Sequence, residues 1–193
     1  MTRQPALHAN QGGIVLVTGL LILLVMTLIG VTALQTTTLE EKMAGNMQNR
    51  NMALQATEAA LRNAEDWINS HVTEPPETSG GTNGVWILNA PDPDVSSTEP
   101  WWDEADESWW SANAAPYGGD PVNPTGAGTT LDANLAAQPR YLVEQQAFVP
   151  DSLVVDPYRT QNAGKVYYRV TGRGVGGSDT AVSRLQGTYT RRY

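Results

Sequence analysis

The chain has 193 residues, a net charge of −8 and no cysteine, which excludes disulfide bonds and thiol chemistry. Residues 63–139 carry thirteen acidic side chains and no basic one, and such a region disfavours nucleic acid as a partner because it repels phosphate. The two histidines, His8 and His71, cannot assemble a zinc site or a Ser-His-Asp triad, so we predict no enzymatic activity, no metal and no cofactor.

An uncharged run of 22 residues, Gly13–Leu34, dominates the N-terminal part of the sequence. Its letters are GIVLVTGLLILLVMTLIGVTAL. A helix that rises about 1.5 Å per residue would cross a bilayer core of roughly 30 Å with such a run. Its polar side chains are Thr18, Thr27 and Thr32, whose hydroxyls can bond to the helix backbone.

The residues after this run are strong helix formers without proline, so we predict one helix from about residue 14 to about residue 70. Residues 14–35 form its membrane half and residues 36–70 its amphipathic half. Gly19 and Gly30 lie in the membrane half, where small residues allow close helix packing. Unwinding near Gly30 and ordinary tolerance of glycine in a membrane span are the alternatives.

The amphipathic half carries an apolar stripe that we predict to face a sheet. Its members recur at spacings of four and seven residues, which places them on one side of a helix. They are Leu39, Met43, Met47, Leu54, Leu61 and Ile68. Three alanines, Ala56, Ala60 and Ala64, lie beside the stripe and allow close contact.

Residues 1–13 are a short leader with Arg3 as its only firm charge, and three interpretations remain open. A secretory signal would be cleaved near Ala33, although its apolar run would be longer than usual. A plain single-span anchor would keep the leader. We favour a leader that is removed just before the apolar run, because Gly12 and Gly13 leave room for a peptidase to approach the backbone.

The connection 71–138 is acidic, rich in tryptophan and mostly irregular. The helix should end near His71, because TEPPETSGGTNG cannot continue it. We predict a short strand at 85–89 and a helical turn at 103–113. Six acids, Asp92, Asp94, Asp103, Glu104, Asp106 and Glu107, could offer oxygen ligands to calcium, but EF-hand spacing is missing and a solvated loop is favoured.

Two tryptophan pairs repeat eight residues apart in this connection, as Trp101, Trp102, Trp109 and Trp110. Solvated acids would not need four tryptophans, so we expect the rings to be buried. Burial against the sheet is favoured over contact with a partner, and carbohydrate stacking is the third interpretation.

Residues 139–193 predict an antiparallel sheet with strands at 140–148, 165–175 and 180–192. Alternation in the second strand puts one face against the helix and leaves the other wet. The sheet is basic, and its arginines should offset the acidic connection, either within one subunit or between neighbouring subunits. These arginines are Arg169, Arg173, Arg184, Arg191 and Arg192.

Two stretches resemble a known family. Residues 11–65 (QGGIVLVTGL through ALQATEAALRNAE) resemble the N-terminus of the PilX family, minor pilins of type IV pili, and TTTLEEKMAGN is their most specific part. VYYRVTGRGVGGSDTAVSRLQGTYTRR resembles the last hairpin of the same family. The resemblance implies the α+β type IV pilin fold, in which a long N-terminal helix packs on a C-terminal antiparallel β-sheet.

The resemblance also implies a prepilin leader and a register for its removal. Cleavage after Gly13 would leave Ile14 as the first mature residue, with its amine methylated, and Thr18 as the fifth. Cleavage after Gly12 would leave Gly13 first and Val17 fifth. Most pilins carry Glu at the fifth position, paired with the amine of the subunit ahead. A neutral residue there implies a place at or near the pilus tip, unless this family simply varies at the position.

By resemblance, the chain is a minor pilin that primes or joins type IV pilus assembly and supports adhesion and twitching motility. Its partners would be other minor pilins, the major pilin, prepilin peptidase, the inner-membrane assembly platform and a tip adhesin. It would cross the inner membrane once, N-terminus cytoplasmic and C-terminal domain periplasmic, before entering the pilus. The alternatives are a minor pseudopilin of a type II secretion system and a membrane-tethered periplasmic binding domain.

Overall fold

A computed structural model describes residues 12–151 and 164–193 of the chain. The elements of this part follow in the order α1 (Gly12–Ser70), β1 (Trp86–Ile87), α2 (Trp101–Glu104), α3 (Glu107–Asn113), β2 (Ala115–Pro116), β3 (Arg140–Pro150), β4 (Gly164–Val175) and β5 (Val182–Arg192). The predicted leader lies outside the described residues except for its last two glycines. The chain divides between Gly45 and Asn46 into two compact units.

The single long helix predicted from the sequence is confirmed as α1, which has 59 residues. Its apolar residues from Ile14 to Leu34 are exposed on all sides. Among the described residues, α1 is the one helix long and apolar enough to cross a membrane. It ends at Ser70, and the two prolines that follow cannot donate the backbone hydrogen bonds that a further turn requires.

The C-terminal antiparallel sheet predicted from the sequence is confirmed, and the structure adds a short parallel strand to it. The three long strands β3, β4 and β5 are antiparallel neighbours, as predicted. The short strand β1 runs parallel to β3, where Trp86 lies opposite Glu144. Parallel pairing needs a long crossover connection, and the chain from β1 to β3, which includes α2 and α3, supplies one. β2 pairs antiparallel with the start of β3.

The C-terminal part of α1 packs on one face of this sheet mainly through small residues, and only the end of the predicted stripe takes part. Its buried side chains are Ala53, Ala56, Thr57, Ala60, Ala64 and Ile68. Of the predicted stripe, Ile68 is buried and Leu61 packs against the core, whereas Leu39, Met43, Met47 and Leu54 are exposed.

The close approach of the two backbones explains this correction. A Cβ atom added at Gly174 would collide with the carbonyl oxygen of Ala53 on the helix, and one at Gly172 would lie 3.1 Å from the carbonyl oxygen of Thr57. Glycines on the strand and alanines on the helix are needed at this spacing, because larger side chains would push the two elements apart. The face of β4 that carries Val166, Tyr168 and Val170 completes this core, as the alternation predicted.

The opposite face of the sheet is covered in part, so the prediction that it is wet is also wrong. α2 and α3 lie over it, and Trp101 and Trp110 pack with Leu142 of β3 in a second buried cluster. Leu142 points away from the α1 core because its neighbours Tyr141 and Val143 point into that core.

Candidate functional site

The apolar half of α1 satisfies its own polar groups. The hydroxyl of Thr18 donates to the carbonyl oxygen of Ile14 at 2.7 Å. Thr27 donates to Leu24 at 2.8 Å, and Thr32 donates to the carbonyl oxygen of Ile29 at 2.9 Å. Because these hydroxyls are paired within the helix, the segment can lie in hydrocarbon without an unsatisfied polar side chain.

Gly19 and Gly30 leave open depressions on this segment. A Cβ atom added at either glycine would meet nothing within 4 Å, so packing within the chain does not require a glycine at these positions. The helix continues through Gly30 without interruption. Both positions can therefore receive a side chain from another helix, as small residues do in membrane helix pairs.

The exposed part of the stripe is a second apolar feature of α1. Leu39, Met43 and Met47 expose 59%, 60% and 68% of their surface. Their spacing of four residues aligns them along one side of the helix. An aligned apolar row of this kind makes this side of the helix a candidate contact surface.

The four tryptophans of the connection come together over β3, which confirms that they are used in the core. Trp101 and Trp110 are 4% and 0% exposed, and Trp102 and Trp109 are half-buried around them. Ring centroids lie 5.4 Å apart for Trp101 and Trp109, and 5.7 Å apart for Trp101 and Trp110. Aromatic pairs at such separations stabilise the fold by more than the burial of their apolar surface alone would.

Asp106 places the second tryptophan pair by starting α3. Its carboxylate accepts a hydrogen bond from the backbone amide of Trp109 at 2.7 Å and from the hydroxyl of Ser108 at 2.8 Å. These hydrogen bonds hold the pKa of the Asp106 carboxyl below its ordinary value. The sequence predicted one helical turn at 103–113, but the structure has two short helices joined at this aspartate.

Two arginines of the sheet pair with acids of the connection within the chain, which is one of the two arrangements predicted for them. Arg173 on β4 pairs with Glu107 at the start of α3. Arg184 on β5 lies 3.8 Å from Asp103 on α2. These ion pairs link the basic strands β4 and β5 to the acidic segment 71–138, whose helices α2 and α3 cover part of the sheet.

A buried ion pair that the sequence did not reveal lies beside this cluster. Glu144 on β3 is fully buried and accepts hydrogen bonds from Arg169 on β4 and from the backbone amide of Asn89. Asn89 adopts a left-handed backbone with φ of 57° and also accepts from Arg169. The guanidinium lies 5.1 Å from the centre of the Trp102 ring. The alternation Leu142–Glu144 was the one signal that Glu144 faces this cluster.

Four of the six acids considered for calcium are occupied in other ways. Asp103, Asp106 and Glu107 form the contacts just described, and Asp94 accepts from Ser96. Across residues 12–151 and 164–193, the His, Asp and Glu side chains form no group of three that could hold a metal ion. His71 packs against Trp67, with ring centroids 4.3 Å apart.

Two family descriptions match the chain and together cover most of it. Residues 11–62 match the PilX N-terminal family, and residues 75–191 match the family described as type IV pilus assembly protein PilX C-term. Neither the curated proteins nor the solved structures include a significant match to the chain. The second match alone spans more than half of the 193 residues, and the chain therefore belongs to the PilX family of type IV pilus assembly proteins.

Proposed function

We propose that this protein is a minor pilin that primes or joins type IV pilus assembly through the exposed surface of α1. The observation that carries the proposal is the long apolar helix, whose hydroxyls are satisfied internally and whose side chains lie uncovered by the other described residues. Such a helix is stable in a bilayer before assembly and against other apolar helices afterwards. The role is architectural, without catalysis.

Maturation would begin with removal of the leader by prepilin peptidase. Cleavage between Gly13 and Ile14 would leave an apolar N-terminus with a methylated amine, and cleavage between Gly12 and Gly13 is the alternative register. Residues 14–35 would hold the subunit in the inner membrane, N-terminus cytoplasmic and the 46–193 unit periplasmic, until extrusion by the assembly platform.

The neutral Thr18 supports a position at or near the pilus tip. Its hydroxyl is already bonded to Ile14 and needs no partner from another subunit. A carboxylate at this depth would require a positive group, because an unpaired charge in hydrocarbon costs several kcal/mol. A subunit with no subunit ahead of it has no such group to meet. Its partners below would be other minor pilins and the major pilin, and a tip adhesin would lie above.

Deletion of the gene separates this proposal from its alternatives. We expect few or no surface pili and loss of twitching motility and adhesion, with type II secretion intact. Loss of secretion with normal pili would identify a pseudopilin, and loss of neither would favour a membrane-tethered binding domain. Tip position is tested by an epitope inserted at the exposed Asp179, between β4 and β5, with immunogold labelling of sheared pili. Label at one end supports the tip, and label along the sides contradicts it.

A further inference from the structure

The strand β5 lies at an open edge of the sheet. The strand order is β1-β3-β4-β5, so β5 pairs with β4 on one side and with no described strand on the other. All 11 residues of Val182–Arg192 are in register with β4 without a bulge, and the strand contains no proline. Natural proteins usually shorten, bend or cover such an edge, because its free backbone groups can pair with another strand. A long and regular edge is therefore a candidate interaction surface.

The hydrogen-bonding pattern identifies the backbone groups of β5 that point away from β4. Tyr193 and Gly164 exchange two backbone hydrogen bonds, of 3.1 and 3.4 Å, so the residue that follows β5 faces β4. In an antiparallel pair this orientation alternates along the strand. From Arg184 onwards, the residues that point their N–H and C=O groups to the open side are exposed in their side chains as well. These residues are Arg184, Gln186, Thr188, Thr190 and Arg192.

The side of this edge next to α1 offers apolar surface to a further strand. Leu54 is 40% exposed and Leu61 is half-buried, and their spacing of seven residues puts both on the side of the helix that carries Ile68. The carbonyl oxygen of Ile68 accepts a hydrogen bond from Arg191 of β5, so this side of α1 lies beside the strand. Gly187 leaves open space, since a Cβ atom there would meet nothing within 4 Å. Apolar side chains of an added strand would be buried at this place.

The charge of β5 distinguishes between possible occupants of the edge. The strand carries three arginines and no acid, and Arg184 and Arg192 keep 34% and 68% of their side chains exposed beside Asp103 and Asp151. Antiparallel pairing of two β5 edges, centred on Thr188, would put Arg184 of each copy opposite Arg192 of the other. Like charges directly opposite destabilise a strand pair, whereas opposite charges stabilise it. A second copy is therefore disfavoured, and an acidic strand is favoured.

We propose that the β5 edge binds an extended segment of another protein by antiparallel strand addition. The added strand carries apolar side chains at alternate positions on the side of α1. On its other side it carries polar residues, with acids opposite Arg184 and Arg192. In this mode of recognition, backbone hydrogen bonds give affinity and alternate side chains give specificity. The inference is independent of the pilus assembly role, since it uses residues of the 46–193 unit alone.

The probe is a capped nonapeptide, EVTVTVTVE, which is labelled with fluorescein and titrated with the full chain in detergent by fluorescence anisotropy. Its glutamates lie opposite the two arginines when its central threonine lies opposite Thr188. We expect it to bind, and to slow hydrogen exchange in the segment 182–192. N-methylation of the central threonine, whose amide points to β5, should weaken binding at least roughly tenfold, because a backbone hydrogen bond is lost.

Two control peptides separate strand addition from general attraction. N-methylation of a valine next to the central threonine blocks an amide that points away from β5, and it should change the affinity by less than about twofold. The peptide KVTVTVTVK has the same backbone and the opposite charge at its ends. It should bind at least roughly tenfold more weakly, because its lysines would lie opposite the arginines.

Matched variants at Thr188 test the same contact from the side of the protein. Thr188→Pro removes an N–H that β4 does not use, at a kind of position where edge strands tolerate proline, and it should weaken binding of EVTVTVTVE roughly tenfold. Thr188→Val keeps the N–H and should bind the peptide as the parent does. Circular dichroism reports whether both variants are folded, and the methylated peptides provide the test if Thr188→Pro is not.

Three results with the peptides would overturn the proposal. They are no binding of EVTVTVTVE, equal binding of KVTVTVTVK, and undiminished binding of the peptide that is methylated at its central threonine. Analytical ultracentrifugation of the parent chain tests the other occupant. A dimer that Thr188→Pro dissociates would show that a second copy fills the edge, which contradicts the proposal. Piliation is a separate measurement, so failure here leaves the assembly role untouched.

Discussion

Arg169 holds the carboxylate of Glu144 in a two-point contact, with Nε 2.8 Å from Oε2 and Nη2 2.6 Å from Oε1. The two residues are direct partners in the antiparallel register of β3 and β4. Glu144 is fully buried, whereas Arg169 is half-buried, with 17% of its side chain exposed. The backbone amide of Asn89 gives the carboxylate a third donor and ties the loop after β1 to the sheet.

We predict that Glu144→Gln destabilises the 46–193 unit by about 1.5–3 kcal/mol, because it removes the charged acceptor that the half-buried Arg169 contacts. The double variant Glu144→Gln/Arg169→Gln should lose less than the single variant. The thermal midpoint by circular dichroism, for the full chain in detergent, measures both effects. The exposed pair Arg192–Asp151 is the matched control, and Asp151→Asn should cost no more than about 1 kcal/mol. An equal loss in both single variants would refute the role given to burial.

The contact of α1 with β4 predicts a contrast between two glycines. Gly174→Ala should destabilise by about 1–3 kcal/mol, because its methyl group would meet the backbone of Ala53. Gly187 lies on the neighbouring strand β5, where an added Cβ would meet nothing within 4 Å. Gly187→Ala should be neutral or slightly stabilising, since alanine restricts the unfolded chain more than glycine does. Chemical denaturation of both variants checks the contrast, and similar midpoints would contradict it.

The same contact shows what periodicity could and could not predict. The helix, its end near His71, the three long strands and the buried face of β4 were all visible in the sequence pattern. The face of α1 that meets the sheet could not be predicted from this pattern. A search for regular apolar spacing selects large side chains as core residues, whereas the buried face is made mostly of alanines. The sheet approaches so closely that alanine and glycine form the contact, and the larger Met47 and Leu54 are exposed.

The functional features also differ in whether the sequence alone could predict them. The apolar run and its threonines could be recognised from composition, because a membrane segment is specified locally. The contacts of Asn89 and Trp102 with the Glu144–Arg169 pair could not. They depend on a left-handed residue at Asn89 and on the parallel pairing of β1, which bring together side chains up to 80 residues apart.

The lowered pKa of Asp106 predicts that the stability of the N-terminus of α3 falls at low pH. Because its pKa is lowered in the folded state, its carboxylate contributes stability above the ordinary pKa of a carboxyl group. That contribution is lost as the pH falls through the lowered folded pKa. We expect Asp106→Ala to lower the thermal midpoint at pH 7 and to have a smaller effect at pH 3. Asp106→Ser, which keeps a capping oxygen without a titrating group, should retain most of the pH 7 stability. A deficit of equal size at both pH values would argue against the cap.

The exposed part of the stripe predicts that a substitution there can reduce pilus assembly without lowering the stability of the protein. Met47→Ser should leave the thermal midpoint almost unchanged, because the side chain is 68% exposed within the chain. It should reduce the number of surface pili when it replaces the wild-type gene, because the stripe would be buried only in the assembled complex. Val72→Ser, at an 88% exposed residue beyond the end of α1, is the control and should leave piliation normal. Normal piliation in Met47→Ser would show that the stripe is not part of the assembly surface.

The proposed tip position predicts that a charged variant would occupy a different place in the pilus. Thr18→Glu would supply a carboxylate that can pair with the amine of a subunit ahead, which only a subunit within the shaft can do. With the epitope at Asp179, we expect gold label along the sides of sheared pili. Thr18→Val keeps the position neutral and should leave the label at one end. Side labelling by Thr18→Val, or end labelling by Thr18→Glu, would show that this residue does not determine position.

The central claim, that the leader is removed and the apolar half of α1 is kept in the mature protein, is tested most directly at the N-terminus. Mass spectrometry of the protein purified from membranes, with and without prepilin peptidase, identifies its first residue. We predict a methylated Ile14 that appears only in cells with the peptidase, and a methylated Gly13 would support the same route in the other register. An intact Met1 in both strains, or a first residue near Leu34, would contradict the claim.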